Sequence, residues 1–292
     1  MTMAALVILV LKISIILCLL AIGLEATFSD ATYLLRRPGH LGRALLAMYV
    51  SMPFVALVLA MRFDLNPAVK IALVTLSVSP IPPILPRKAF KAGGKGDYTV
   101  GLFVACGVLA IVLIPIAMKL MEAIAGVPMQ MSAGAVAQVV VTSILIPLLI
   151  GIAVRRFAPS IAQRVAKPIA AVGSVLLILA FLPVLFSMAR TLLSLIGNGT
   201  LLSFAIFAVV GFVLGHFLGG PEAGNRPVLA LATASRHPGV AIAIAQANRP
   251  EEKLAVAAVL LYLILSAILS FGYLKLAKRP TGTIPREKHV EA

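Results

Sequence analysis

Nine long runs of apolar residues alternate with short polar segments along this chain. A helical run of about 20 apolar residues matches the thickness of the hydrocarbon core of a bilayer. The pattern therefore predicts an all-α polytopic membrane protein with nine transmembrane helices. The predicted spans are 3–24, 40–61, 67–86, 97–121, 133–154, 167–189, 199–219, 226–248 and 254–276.

The eighth run (226–248) is interrupted near its middle by polar and helix-breaking residues. Arg236 and His237 stand where an isolated helix would meet the centre of the bilayer, so we expect them to face a bundle interior or a watery cavity. Pro238 removes a backbone donor and Gly239 relaxes the chain, which predicts a break in the helix. Broken helices at membrane depth are typical of the binding sites of transporters.

The third run carries a related pattern. Residues 73–80 share Leu, Thr, Ser and Pro with residues 231–238 at a constant offset of 158. Pro80, Pro82 and Pro83 predict a second helix break there. Two matching breaks, one in each half of the pattern of apolar runs, indicate an inverted repeat.

The nine spans divide unequally between the two predicted repeats. Residues 1–122 would form a first repeat of four spans, which lacks one helix, and residues 133–277 a second repeat of five. Spans 3 and 8 would then be equivalent and opposite in orientation, so their breaks should meet near the middle of the membrane. The remaining residues, 278–292, form a polar cytoplasmic tail.

Composition and charge support a membrane protein. The 292 residues are 61% hydrophobic and only 12% charged, which is too apolar for a soluble domain of this size. Seventeen of the 25 Lys and Arg residues fall on one side of the predicted spans, and five on the other. This bias predicts a multi-pass protein of the inner membrane with its N-terminus outside and its C-terminus in the cytoplasm. The net charge of +15 is thus a topological signal, and no nucleic-acid partner is expected.

The polar residues of the two breaks are the candidate substrate-binding site. Arg236 could hold a carboxylate, sulfonate or phosphate through paired hydrogen bonds, or could be a structural residue bonded to the carbonyls of the broken backbone. His237 could carry a coupling proton, or could be a neutral residue that bridges the two breaks. Gly239 lies at the start of a half-helix whose free N–H groups suit an anion. Hydroxyls that could line the site, or bond back to their own helices, belong to Thr75, Ser77, Ser79, Thr233 and Ser235.

Other classes of function find little support. The chain has no His-Glu-x-x-His sequence, Gly-rich phosphate loop, Cys-x-x-Cys sequence or intramembrane pair of aspartates, so no enzymatic activity is expected. No channel-type selectivity filter is visible. Both cysteines lie inside apolar runs, so neither a disulfide framework nor a metal or other cofactor site is predicted.

Several short sequences resemble the bile acid:sodium symporter superfamily over nearly the whole chain. They are Gly-Leu at 23–24, Arg-Arg-Pro at 36–38, Met-Pro at 52–53, and two segments similar to a bacterial "Na+-dependent transporter" branch, Gly-His-Phe-Leu-Gly-Gly-Pro at 215–221 and Ala-Ser-Arg-His-Pro-Gly at 234–239. The resemblance implies two inverted repeats whose broken helices cross beside a substrate site. A nine-span form is among those that the family contains.

The chain departs from this family where the resemblance would place sodium ligands. Ala232 and Arg236 occupy the positions of a Glu and a Gln, Leu85 and Pro86 replace a Ser-Asn pair, and Gly101 and Ala105 replace a Ser and a Thr. Sodium needs several oxygen ligands, usually with a carboxylate. We therefore predict a secondary transporter of a small organic anion that is proton-coupled or facilitated, with sodium disfavoured. The alternatives are a conventional sodium:organic anion symporter and an anion-binding membrane sensor or scaffold.

Overall fold

The computed structural model describes residues 3–125 and 132–277, and every regular element in these two stretches is helical. A π-helical turn at Leu46–Ser51 joins α3 to α4, and another at Val141–Leu145 joins α8 to α9. The helices are α1 (Met3–Glu25), α2 (Phe28–Ala31), α3 (Pro38–Leu45), α4 (Met52–Arg62), α5 (Pro67–Val78), α6 (Leu85–Lys91), α7 (Gly96–Ala125), α8 (Ala133–Val140), α9 (Ile146–Phe157), α10 (Pro159–Ser194), α11 (Thr200–Leu218), α12 (Asn225–Ala234), α13 (Pro238–Asn248) and α14 (Leu254–Ala277).

Seven helical segments in the described residues are long and apolar enough to cross a membrane: Pro38–Arg62, Gly96–Ile124, Gly134–Phe157, Pro159–Ser194, Thr200–Leu218, Asn225–Asn248 and Leu254–Ala277. The all-helical membrane character predicted from the sequence is thereby confirmed. The two other predicted spans fall on α1 and on α5 with α6. The predicted tail at 278–292 lies outside the described residues.

Helix α10 is longer than its sequence pattern predicts. The apolar run indicates a span at 167–189, whereas the helix begins at Pro159 and continues through Pro168 and Pro183 to Ser194. Pro159 occupies the first helical position, where its missing N–H is of no consequence. The two internal prolines do not end the helix, so a proline alone does not define a break in this chain.

Helices α1, α9 and α10 form a small group that packs around glycine contacts. A Cβ added to Gly151 of α9 would lie 2.7 Å from the Cα of Gly23 in α1, so the two backbones touch where neither residue has a side chain. A small cluster of Leu24, Ala162 and Ala166 fills the space beside this contact.

The remaining helices form a larger group around a continuous apolar core, to which α1, α9 and α10 also contribute Leu19, Leu148 and Leu192. Within it α5 packs against α4, α13 and α14, and α12 packs along α11 and touches α6. Each half of one broken helix thus contacts a half of the other. Part of the exposed apolar surface, which suits contact with lipid, lies on α10, where Phe186 is 78% exposed.

Candidate functional site

The first break lies between α5 and α6. Helix α5 ends at Val78, and Ser79 adopts an extended backbone with ψ of 148°. Pro80, Pro82 and Pro83 follow in a buried non-helical segment before α6 begins at Leu85. The prolines remove backbone donors and disfavour helical geometry in the residues that precede them, so the break arises from local sequence.

The second break lies between α12 and α13. Ser235 is extended, with φ of −100° and ψ of 131°, and Pro238 starts α13 at its first helical position. His237 caps α13, because its Nδ1 accepts a hydrogen bond from the N–H of Val240 at 3.4 Å. Gly239 lies beneath this imidazole, since an added Cβ would be 3.3 Å from the His237 Cε1.

The two breaks are in direct contact. The backbone N–H of His237 donates to the carbonyl of Pro80 at 2.9 Å. The Arg236 guanidinium donates through Nη1 to the carbonyl of Ser79 at 3.3 Å. Backbone polar groups that lose their helical partners at one break are therefore hydrogen-bonded by the other break. Irregular backbone inside a membrane protein requires such partners.

The Arg236 guanidinium also reaches the π-helical turn that precedes α4. This side chain is only 1% exposed, and its Nη2 donates to the carbonyl of Met48 at 3.1 Å. Pro53 has no N–H to give to carbonyls four or five residues earlier, which are those of Tyr49 and Met48. The Met48 carbonyl is therefore available to the arginine. Sequence reasoning did not identify this partner, because it lies 188 residues away.

Four of the five candidate hydroxyls bond to their own helices. Thr75 donates to the carbonyl of Ile71, Ser77 to Val74, Ser79 to Leu76 and Thr233 to Leu229, at 2.7–2.9 Å. This is the local pattern expected of Ser and Thr inside helices. Ser235 differs, because its Oγ is buried and has no hydrogen-bond partner among the described residues.

Three consecutive residues of the second break each keep a buried polar atom without a partner in the described chain. These atoms are the Oγ of Ser235, the Nε of Arg236 and the Nε2 of His237. A buried polar atom left without a partner costs about 1–3 kcal/mol. The segment 235–237 therefore concentrates unused donors and acceptors at the point where the two breaks meet.

The position of the second break is set by close packing of α12 against α11. Gly211 and Gly215 on α11 and Gly219 at its C-cap lie at four-residue spacing, and an added Cβ at any of them would approach the backbone of residues 226–234 to within 2.5–2.9 Å. Such spacing lets two helix backbones touch. At the end of α12, the Tyr262 hydroxyl donates a hydrogen bond to the carbonyl of Ala234, so α14 also holds the break in place.

Acidic groups are missing from the interior of the described structure. Its buried polar and charged side chains comprise Ser, Thr, Asn, Arg and His residues but neither Asp nor Glu. Within residues 3–125 and 132–277, no group of three or more His, Cys, Asp or Glu side chains is placed to hold a metal ion. The charge buried at the contact between the breaks is the positive charge of Arg236.

A cavity of about 430 Å³ opens where α5 begins and α13 ends. Thr75 is the one sequence-predicted site residue that lines it. The charged residues on its walls are Lys70, Arg249, Glu251 and Glu252, none of which was predicted as a site residue. Lys70 lies at the start of α5, and the other three follow the end of α13.

The opposite ends of the broken helices are closed by a polar cluster around Glu222. Its carboxylate accepts from Lys95 at 3.2 Å and lies 3.8 Å from Arg37 and 3.9 Å from His40. The hydrogen bond from Lys95 lowers the pKa of Glu222, and the same contact raises the pKa of Lys95. This cluster joins the loop before α7 to the loop before α12.

Two broken helices in contact inside a helical membrane bundle are typical of the class of secondary transporters. The comparison with known families gives the same class, since residues 12–196 match the sodium bile acid symporter family. The chain belongs to that family. The matched region contains the first break but ends before the second.

A relative in rice (Oryza sativa subsp. japonica), the probable sodium/metabolite cotransporter BASS2, chloroplastic, is 24% identical over 200 residues. The alignment covers 68% of this chain and 47% of the relative, so the chain spans about half the length of the protein it matches.

Proposed function

We propose that this protein is a secondary transporter that moves a small organic anion by alternating access. The substrate would bind at the second break, against Ser235, Arg236 and His237. The observation that carries this proposal is the set of three buried polar atoms without partners at these consecutive residues. A ligand with oxygen atoms would satisfy them and recover the free energy that their burial costs.

The charge of the site favours an anion. The guanidinium of Arg236 has five N–H donors, of which the carbonyls of Ser79 and Met48 account for two bonds. The N-terminus of α13 adds the free N–H of Gly239 and the positive end of the helix dipole. A carboxylate, sulfonate or phosphate that approaches this end would meet positive charge from both sources.

The same charge disfavours a sodium site at the break. A sodium ion would meet the Arg236 cation, and no Asp or Glu in the described interior would balance it. We therefore propose coupling to protons, with His237 as the carrier, or facilitated exchange. Sodium coupling, which the names of the family and of the rice relative carry, remains the competing mechanism, with backbone carbonyls at the breaks as ligands.

For the transport cycle we propose that the group of α1, α9 and α10 moves as a panel against the helices that carry the breaks. This group has a small apolar cluster of its own, Leu24, Ala162 and Ala166, beside the larger core that it shares with the other helices. The proposed topology has nine spans in two inverted repeats, 1–122 and 133–277. The N-terminus would lie outside the inner membrane, and the tail at 278–292 in the cytoplasm.

Uptake into proteoliposomes tests the coupling directly. A panel of organic anions is first screened by thermal shift, and the best ligand is then assayed with a sodium gradient, a proton gradient or neither. Uptake that is unchanged by removing sodium supports the proposal, and strict dependence on sodium would refute it.

Arg236→Gln tests the site. The expected result is loss of anion binding, because glutamine cannot supply the charge, while Arg190→Gln at an exposed position of α10 leaves binding unchanged. Thermal unfolding of both variants separates loss of fold from loss of the site. A folded Arg236→Gln protein with unaltered affinity would remove the assigned role of this residue.

A further inference from the structure

The cavity at the start of α5 is walled by the larger helix group alone. Its lining residues come from α4, α5, α7, α13 and the segment 249–252, and none comes from α1, α9 or α10. The walls are mainly apolar, with Leu57, Met61, Val74 and Met118 among them. A volume of about 430 Å³ lies within the usual range of small-molecule sites.

Lys70 supplies a positive charge to this apolar space. It lies in the first turn of α5, is partly buried and lines the cavity. It makes no hydrogen bond to any described residue, and no described carboxylate lies within 4.0 Å of its ammonium group. A cation that faces an apolar cavity without a counterion is suited to the head group of an amphipathic anion.

The acidic residues at the rim have their own basic neighbours. Glu251 pairs with Arg249 at 3.7 Å and is largely exposed. Glu252 also lines a smaller adjacent cavity of about 180 Å³, together with Arg249 and Lys253. The wall formed by α5 is thus positive, whereas both carboxylates are at the rim, beside Arg249 and near Lys253 of the adjacent cavity.

The cavity is connected to the breaks through α5. Thr75 lines it, and Ser79, whose carbonyl Arg236 holds, follows one helical turn later. One turn of helix rises about 5.4 Å. A molecule in the cavity would therefore lie close to the contact between the two breaks without touching Arg236 itself.

We propose that this cavity is a separate capture site for a monocarboxylate with a short apolar body. Its carboxylate binds Lys70, and its apolar part lies against Leu57, Met61 and Met118. The role of the cavity as a stage before translocation rests on the proposed transport function, but the binding itself does not.

A tryptophan reporter makes the binding measurable. The chain contains no Trp, so Met61→Trp, at a residue that is 66% exposed and lines the cavity, gives a single local signal. Octanoate is titrated in detergent as the probe, with octylammonium as its cationic match. Phe186→Trp on the exposed face of α10 measures non-specific partition of the probe into the micelle.

Octanoate is expected to shift the fluorescence of the Met61→Trp protein in a saturable way. Octylammonium with this protein, and octanoate with the Phe186→Trp protein, should give only the signal of non-specific partition into the micelle. In the Met61→Trp background, Lys70→Gln should weaken octanoate binding at least tenfold, because a charge-assisted hydrogen bond is lost. Lys70→Arg should restore binding. The matched control is Lys119→Gln, which removes an exposed charge next to Met118 and should change nothing.

The outcomes separate this inference from the transport proposal. Equal octanoate affinity in the Lys70→Gln and Lys119→Gln proteins would overturn the capture site, as would octylammonium that binds as tightly as octanoate. Arg236→Gln should leave the octanoate signal intact. Absence of transport by the unsubstituted protein, together with a Lys70-dependent octanoate signal, would instead refute the proposed function and leave the capture site standing.

Discussion

Substitution of Gly215 by alanine should displace α12 and the break that follows it. An added methyl would lie 2.5 Å from the Cα of Ala230 and 2.5 Å from the carbonyl oxygen of Leu229. Favourable carbon contacts need about 3.5–4.0 Å, so the two backbones must separate by roughly 1 Å. Such overpacking costs about 1–3 kcal/mol, and the upper half of that range applies because backbone atoms cannot rotate away.

Part of this cost is offset by the helix propensity of alanine, which exceeds that of glycine by about 0.5–1 kcal/mol. A net loss of about 1–2 kcal/mol corresponds to a fall in Tm of roughly 2–8 °C. Gly272→Ala in α14 is the matched control, since an added Cβ there meets no atom within 4 Å. It should be neutral or slightly stabilising.

The assay can use the thiols of the protein itself. Cys18 and Cys106 are buried, so a thiol-reactive dye reports unfolding as the temperature rises. In the Gly215→Ala protein the rate of anion uptake should fall steeply although the change in Tm is small. A displacement of about 1 Å at a binding site can cost 10²-fold in rate. Equal Tm and equal uptake in the two glycine variants would refute the close approach of α11 and α12.

Two further predictions concern the supports of the site. Tyr262→Phe keeps the edge-to-face contacts with Phe204 and Phe207 but removes the hydrogen bond to the Ala234 carbonyl, and should lower the free energy of unfolding by about 1 kcal/mol in denaturant titrations. Glu222→Gln should lower Tm slightly at neutral pH, since exposed ion pairs contribute about 1 kcal/mol or less. Because the pKa of Glu222 is depressed in the folded protein, its stabilisation is present above the ordinary value of 4.5 and is lost as the pH falls below it. The difference in Tm from the unsubstituted protein should therefore shrink in acid, and a constant difference down to pH 3 would contradict the assignment.

The helix breaks were predictable because their causes are local. Pro80, Pro82 and Pro83 act on the backbone beside them, and so does Pro238. Pro168 and Pro183 have the same chemistry but stay inside α10. The broken segments differ locally in carrying several helix breakers together, Pro80, Pro82 and Pro83 in one and Pro238 with Gly239 in the other. Each break also has a partner for its polar groups, since the carbonyl of Pro80 accepts from the N–H of His237.

The roles of individual polar side chains were less accessible from the sequence. For Thr75 and Ser77 the sequence left two roles open, to line the site or to bond back to their own helices, and their hydroxyls make the second kind of bond. Lys70 was not among the predicted site residues, but it lines the cavity. A Ser or Thr hydroxyl inside a helix has a carbonyl of that helix within reach. Only packing therefore decides whether the hydroxyl bonds to its own helix or points toward a cavity.

By itself the sequence determined the membrane class, most of the helices and the positions at which two of them break, since hydrophobic run length and proline act within a few residues. Tertiary structure alone decided that the Arg236 guanidinium bonds to the carbonyls of Ser79 and Met48, that three polar atoms at 235–237 stay without partners, and that a cavity forms beside Lys70. These features join residues up to 188 positions apart. They depend on how closely helices approach, which the glycines of α11 permit but which no local pattern specifies.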